Sequence, residues 1–173
     1  MNLLIIGAGR FGQFVKELAQ SKYAKIVFLD DNPSLGFDKV DDCVKYKGEF
    51  DRAIVAIGDN ETRLACLDKL EKAGFRLATI ISDKAFVSPT ATIAEGVIIE
   101  PMVVIKNGAQ IDRGVIINAG ATVNYNAHVC KGSSLDCNSV VGLDVVVPEK
   151  MCLLYGQLIK KTSTPEEGWE SGD

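Results

Sequence analysis

The sequence predicts a small α/β domain with a mostly parallel sheet, followed by a parallel β-helix. Two observations carry this. From residue 1 to about residue 82, short apolar runs alternate with stretches of helical period, and beyond that point the chain falls into units of six with an aliphatic residue in the third place. A glycine loop between the first strand and the first helix supports the α/β assignment.

In the first half the runs LLII, KIVFLDD, RAIVAIG and RLATIIS are short and continuously apolar, as in strands of a sheet covered on both faces. Between them, RFGQFVKELAQSK sets Phe11, Phe14 or Val15, and Leu18 on one helical face, and NETRLACLDKLEKAG forms a second helix. The loop Gly7-Ala8-Gly9-Arg10-Phe11-Gly12 follows a strand and opens a helix. In that context bare backbone and a helix N-terminus receive a phosphate or pyrophosphate. Gly7, Gly9, Arg10 and Gly12 are therefore candidate binding residues, Arg10 adding a charge-assisted contact. The same loop also suits a tight strand-to-helix turn without any ligand. Asp30 ends the second strand about twenty residues on, where an acid in a dinucleotide site holds a ribose hydroxyl, so NAD is one candidate ligand. Asp31 stands beside it, and Gly58, Asp59 and Asn60 form the next loop on the same carboxyl edge. Asp59 or Asn60 equally fits the N-cap of the helix that follows.

Beyond Ser82 the chain divides into AFVSPT, ATIAEG, VIIEPM, VVIKNG, AQIDRG, VIINAG, ATVNYN, AHVCKG, SSLDCN, SVVGLD, VVVPEK and MCLLYG. The third residues run Val87, Ile93, Ile99, Ile105, Ile111, Ile117, Val123, Val129, Leu135, Val141, Val147 and Leu153. Each unit of six gives one short strand and one corner of a triangular prism, so one aliphatic side chain per face must fill a narrow axis. Small residues two places earlier, such as Ala109, Ala121, Ala127, Ser133 and Ser139, leave room for it. Strands of a sandwich would instead show period two with turns every ~8–12 residues. Three units make a coil, so this stretch supplies about four coils. The predicted organisation is thus 1–82 for the α/β domain, 83–154 for the β-helix, and 155–173 for a closing strand and a loosely ordered acidic tail, in which Trp169 could dock on a subunit surface.

Composition narrows the function classes. With 47% hydrophobic and 24% charged residues the chain reads as an ordinary globular protein, and a net charge of −4 without a basic stripe argues against a nucleic-acid partner. No apolar run approaches the ~20 residues of a membrane span, and MNLLIIGAG lacks the features of a signal peptide, so a cytoplasmic protein is expected. Cys43, Cys66, Cys130, Cys137 and Cys152 are odd in number and contain no CxxC pair. That argues against a disulfide framework and a structural zinc site. They read as reduced thiols buried as small hydrophobes, no metal site is expected, and Cys130 and Cys137 are the two with a conceivable functional role.

The segments IIGAGRFG, FLDDNPSLG and AIGDNETR and the hexads beginning SPTATIAEG span nearly the whole chain. In them the chain resembles the bacterial sialic-acid O-acetyltransferase and nucleotide-amino-sugar N-acetyltransferase family. The resemblance implies a Rossmann-like nucleotide-sugar domain, a left-handed parallel β-helix, a homotrimer, acetyl-CoA as donor and an amine-bearing UDP-sugar as acceptor. It also implies a catalytic histidine, flanked by an acid, at the corner that here reads Val123-Asn124-Tyr125-Asn126, and a second histidine where Ser134 stands. The closing strand YGQLIKK arrives about one coil early for the family, in the region that helps hold coenzyme A. Tyrosine, with a reference pKa near ~10, is a poor base at neutral pH. His128, the only histidine, falls on the flat of the next face, pointing outward. The functional expectation is an acetyl-CoA-dependent N-acetyltransferase-like protein acting on a nucleotide-linked amino sugar, with Tyr125, Asn126 or His128 lining the reaction cleft. The alternatives are a catalytically inactive nucleotide-sugar-binding or scaffolding homologue and an NAD-sensing regulatory module.

Overall fold

A computed structural model describes residues 1–35, 37–50 and 52–161. Among the described residues the first domain holds four strands, β1 (Asn2–Ile6), β2 (Lys25–Leu29), β3 (Arg52–Val55) and β4 (Arg76–Leu77), and two α-helices, α1 (Arg10–Ala19) and α2 (Asn60–Lys72). The strands are all parallel in the order β2-β1-β3-β4. β1 is wholly buried from Leu3 to Ile6, as a central strand covered on both faces must be. One face packs Leu3, Ile5 and Ile54 against Val15 and Ala19 of α1; the other packs Leu4, Ile6 and Val55 against Leu67 and Leu70 of α2.

The second domain is a left-handed parallel β-helix. Among the described residues it has fourteen two-residue strands, from Ile80–Ile81 to Leu158–Ile159. They form three parallel sheets of five, five and four strands. The first face stacks Ile80–Ile81, Ile98–Ile99, Ile116–Ile117, Ser134–Leu135 and Cys152–Leu153. The second runs from Phe86–Val87 to Leu158–Ile159, and the third from Thr92–Ile93 to Val146–Val147. The third residues of the hexads line the axis together, from Val87 to Leu153. The first prism strand, Ile80–Ile81, lies before residue 83 and the last lies after residue 154, so the prism takes in residues on both sides of the expected span. The reading of the acidic tail and Trp169 concerns residues 162–173, outside the described residues.

The two domains share one core. Leu3, Ile5 and Ala78 cluster with Ile80, Ile98 and Ile116, the outward residues of the first prism face. Side chains of Leu64 and Leu67 on α2 rest on the prism corners at Gly96, Gly114 and Gly132. Arg113 pairs with Asp68 and Glu71 of α2 at 2.9 and 2.5 Å. The carboxyl edge of the first sheet is thereby held against the first face of the prism.

All five cysteines are free thiols. Cys43 is buried as the composition suggests, but Cys66, Cys130 and Cys137 are only half-buried and Cys152 is exposed, because the last four sit on helix or prism surfaces and not in a core. Among the described residues no helix is long and apolar enough to cross a membrane.

Candidate functional site between the two domains

A cavity of about 430 Å³ opens where the carboxyl edge of the first sheet meets the prism. The first domain contributes Phe11 from the first turn of α1 and the loop Gly58-Asp59-Asn60-Glu61; the prism contributes Ile116, Asn118, Ser134, Asp136, Lys150 and Cys152.

The wall is organised by Arg63, which sequence reasoning did not single out. Arg63 is 0% exposed. Its Nε donates to the carbonyl of Gly114 at 2.7 Å, and its Nη1 to the carbonyls of Ile57 and Gly58, each at 2.9 Å. Its Nη2 donates to Asn60 Oδ1 at 2.7 Å and to the carbonyl of Gly132 at 2.8 Å, with Ser134 Oγ at 3.2 Å. Burial pulls this guanidinium down to about 10, so it remains charged at neutral pH. It spans both domains and fixes the loop that lines the cavity. A signal was available: Arg63 stands at helical spacing from Leu67 and Leu70, on the buried stripe of α2, where a cation needs acceptors facing it.

Asn60 is the second link. Its Oδ1 accepts from Arg63 and from Ser134 Oγ at 2.7 Å, and its Nδ2 donates to the carbonyl of Lys150 at 2.8 Å. Asp59 N-caps α2, accepting from the Thr62 amide at 2.8 Å, and the Thr62 side chain together with this amide holds its carboxyl below the usual range. Lys150 is tied to Glu61 at 2.8 Å, and Asn118 Nδ2 donates to Asp136 Oδ1 at 3.0 Å. The lining thus carries three carboxylates, from Asp59, Glu61 and Asp136, against one ammonium that is already paired.

The glycine loop borders this cavity through Phe11. Gly7 has φ +100, and Gly12 packs so closely that an added Cβ would lie 1.9 Å from the Gly7 carbonyl oxygen; both allow α1 to sit tightly on the sheet. Gly9 and Arg10 are exposed, and a Cβ on Gly9 would meet nothing within 4 Å. Asp30 turns inward to this loop: its Oδ2 accepts from the Ala8 amide at 2.7 Å and its Oδ1 from the Asn32 amide at 2.8 Å. Asp31 accepts from the Val40 amide at 2.9 Å.

Tyr125, Asn126 and His128 do not line the cavity. Tyr125 is 45% exposed at the corner following the second face, with the Lys106 ammonium 4.6 Å from its ring centroid. Lys106 also donates to Asn124 Oδ1 at 2.9 Å. Asn126 takes the left-handed corner conformation, φ +55, and its Nδ2 donates to Asp144 Oδ1 at 3.1 Å. His128 lies on the third face, half-buried, with outward neighbours Gln110 and Val146 in the ladder.

Comparison with known proteins agrees with this architecture. Residues 2–70 match the family described as PglD N-terminal domain. Among solved structures, PerB from Caulobacter crescentus, in complex with CoA and GDP-perosamine, is 23% identical with a TM-score of 0.57, over 89% of this chain and 92% of that one. The acetyltransferase domain of PglB from Neisseria gonorrhoeae, in complex with acetyl coenzyme A, is 25% identical with a TM-score of 0.61, over 87% and 94%. WeeI from Acinetobacter baumannii is 17% identical with a TM-score of 0.59, over 88% and 94%. Residues 2–70 are thus similar to the PglD N-terminal domain family, and the chain shares with these solved structures a two-domain fold in which a repeating prism follows the first sheet.

Proposed function

We propose that this protein binds a nucleotide-linked amino sugar between its two domains and is built as an acetyl-CoA-dependent N-acetyltransferase of reduced chemical power. The observation that carries the reading is the interdomain cavity. It is roomy enough for a sugar, rimmed by the first turn of α1, and lined by carboxylates that suit an amine and hydroxyls better than a phosphate. The phosphates fall outside it, at the exposed Gly9 and Arg10, with Asp30 and Asp31 shaping the adjoining edge. A four-stranded sheet and an Asp30 carboxylate engaged with the Ala8 amide support a nucleotide sugar over NAD, whose fold uses two mononucleotide-binding halves. Acetyl-CoA is the proposed donor, in line with the CoA and acetyl-CoA complexes of PerB and PglB. The proposed location is the cytoplasm, where both small molecules are available.

Calorimetric titration with acetyl-CoA and, separately, with UDP- and GDP-linked amino sugars tests the reading; no binding of any nucleotide sugar would end it. Gly9→Val is the matching variant. The added side chain meets open space in the protein, so the fold survives while the approach of a phosphate is blocked. Binding of the nucleotide sugar should fall by at least ~100-fold, the equivalent of ~2.7 kcal/mol. Unchanged affinity would move the phosphates away from this loop.

A second reading, a binding or scaffolding homologue without catalysis, is favoured by the Tyr125 corner. Lys106, Asn124 and Asn126 beside it offer no imidazole or carboxylate to take a proton from an acceptor, and the nearby Asp144 carboxylate is engaged by Asn126 Nδ2 at 3.1 Å. In both readings the assembly is a homotrimer. Phe86, Val104, Thr122, Val140 and Leu158 form one in-register ladder on the outside of the second face, and Phe86 and Leu158 are 59% and 57% exposed. An apolar stripe of this kind calls for a covering surface, and closed threefold packing supplies it. Sedimentation at micromolar concentration should give a trimer; a stable monomer would refute the assembly.

A further inference from the structure

We propose that Asp112, His128 and Cys130 form a zinc site on the third face of the prism, clipping two successive coils together and leaving one coordination position open to solvent. The β-helix itself brings the three donors together. His128 and Cys130 flank the inward Val129, so both side chains point out of the same face. Asp112 donates its backbone N–H to the Val129 carbonyl at 3.0 Å, which sets it beside Cys130 one coil away, at the ~4.8 Å spacing of neighbouring strands. The imidazole nitrogen, carboxylate oxygen and sulfur all lie within 4.8 Å of one another.

The imidazole is the second observation. His128 Nε2 is closed off from solvent and lies 2.9 Å from Asp112 Oδ2 as an ion-pair contact, off the alignment of a hydrogen bond. A ring nitrogen closed off from solvent and set against a carboxylate presents two ligand atoms of a cation site side by side, and a cation between them would replace their present contact. Tetrahedral zinc at ~2.0 Å from nitrogen and oxygen and ~2.3 Å from sulfur needs donors about 3.3–3.7 Å apart. Small side-chain rotations reach that from the present arrangement. One sulfur, one nitrogen and one oxygen donor select zinc over magnesium or calcium, which take oxygen ligands. On binding, the Cys130 thiol proton leaves to solvent, since the thiolate is the ligand. None of the three residues borders the interdomain cavity, so the site is separate from the one proposed for the sugar. The absence of a CxxC pair does not exclude it, because the coil repeat supplies proximity that local sequence does not.

The test uses the full chain, stripped of metal by a chelator. Zinc titration should reach one ion per chain and raise the melting temperature. Cobalt in its place should give the visible bands of a tetrahedral site and the ultraviolet band of thiolate ligation. Cys130→Ser and His128→Ala should each weaken binding by at least ~100-fold, beyond the range seen for outer-shell partners. Cys137→Ser, a half-buried thiol at a different corner, should bind as wild type. Absence of zinc binding by the wild type, or wild-type affinity in both ligand variants, would overturn the proposal. Because metal stoichiometry and the cobalt spectrum do not depend on acetyl transfer, the result stands apart from the fate of the sugar-binding reading.

Discussion

Arg63→Met should lower stability by about 3–5 kcal/mol, the range seen when one member of a buried charged network is removed. Five backbone carbonyls, those of Ile57, Gly58, Gly114, Gly132 and, at 3.4 Å, Ser133, receive hydrogen bonds from this one guanidinium. Methionine fills a similar volume but donates nothing, and each buried acceptor left without a partner costs ~1–3 kcal/mol. Against this, the desolvation that draws Arg63 down to about 10 is recovered when the charge is removed. The balance favours a loss, because the acceptors stay where the two domains hold them. For a chain of this size the melting temperature should drop by roughly 6–20 °C. Arg63→Lys should not rescue it, since a compact ammonium cannot fork between carbonyls on opposite sides. Thermal and urea unfolding read the effect, and a loss below ~1 kcal/mol would show that the network is dispensable. Where the variant remains folded, its affinity for nucleotide sugar should also fall, because Asn60 and the Gly58 loop lose their anchor.

The parts of this molecule that were legible in sequence are those governed by period. Val123 or Leu135 could be placed on the prism axis because each hexad has one inward aliphatic position, and both are 0% exposed. The parallel first sheet followed from continuous apolar runs such as LLII, buried from Leu3 to Ile6. The site was harder, since it is made of contacts between periods. Asp30 was placed correctly on the carboxyl edge, but its carboxylate closes back on Ala8, a choice that depends on loop path and not on spacing. Asn60 and Ser134 lie more than seventy residues apart and meet only because α2 docks on the first prism face. Asp112 and Cys130 are one full coil apart, eighteen residues, so their adjacency was implicit in the hexad register. What the register could not give was the approach of the imidazole to the Asp112 carboxylate, at 2.9 Å.

Restoring an acid–base pair at the Tyr125 corner should produce the largest change in activity. Wild-type transfer of acetyl groups to a nucleotide amino sugar is expected to be slow, because loss of a general base removes ~10²–10⁴-fold in rate. Tyr125→His alone restores an imidazole but not its orientation. The neighbouring Lys106 ammonium keeps that ring neutral, which suits a base, yet no carboxylate fixes the tautomer. Two positions could supply one. Asn126→Asp would bring its charge to Asp144, whose Oδ1 now lies 3.1 Å from the Asn126 amide, so like charges would collide. Asn124→Asp instead meets Lys106, which already donates to that side chain at 2.9 Å, and gives up only the hydrogen bond from Asn124 Nδ2 to the Val141 carbonyl. The double variant Asn124→Asp with Tyr125→His should therefore raise the rate by up to ~10²–10⁴-fold, more than Tyr125→His alone, with little change in affinity for either substrate. Steady-state and single-turnover assays separate chemistry from binding. A double variant that binds acetyl-CoA but turns over no faster than wild type would show that the corner does not face the reacting groups. Failure of both forms to bind acetyl-CoA would leave the binding-protein reading in place, with the donor groove as the part that was lost. Loss of a robust wild-type activity on His128→Ala would instead put the base on the third face of the prism.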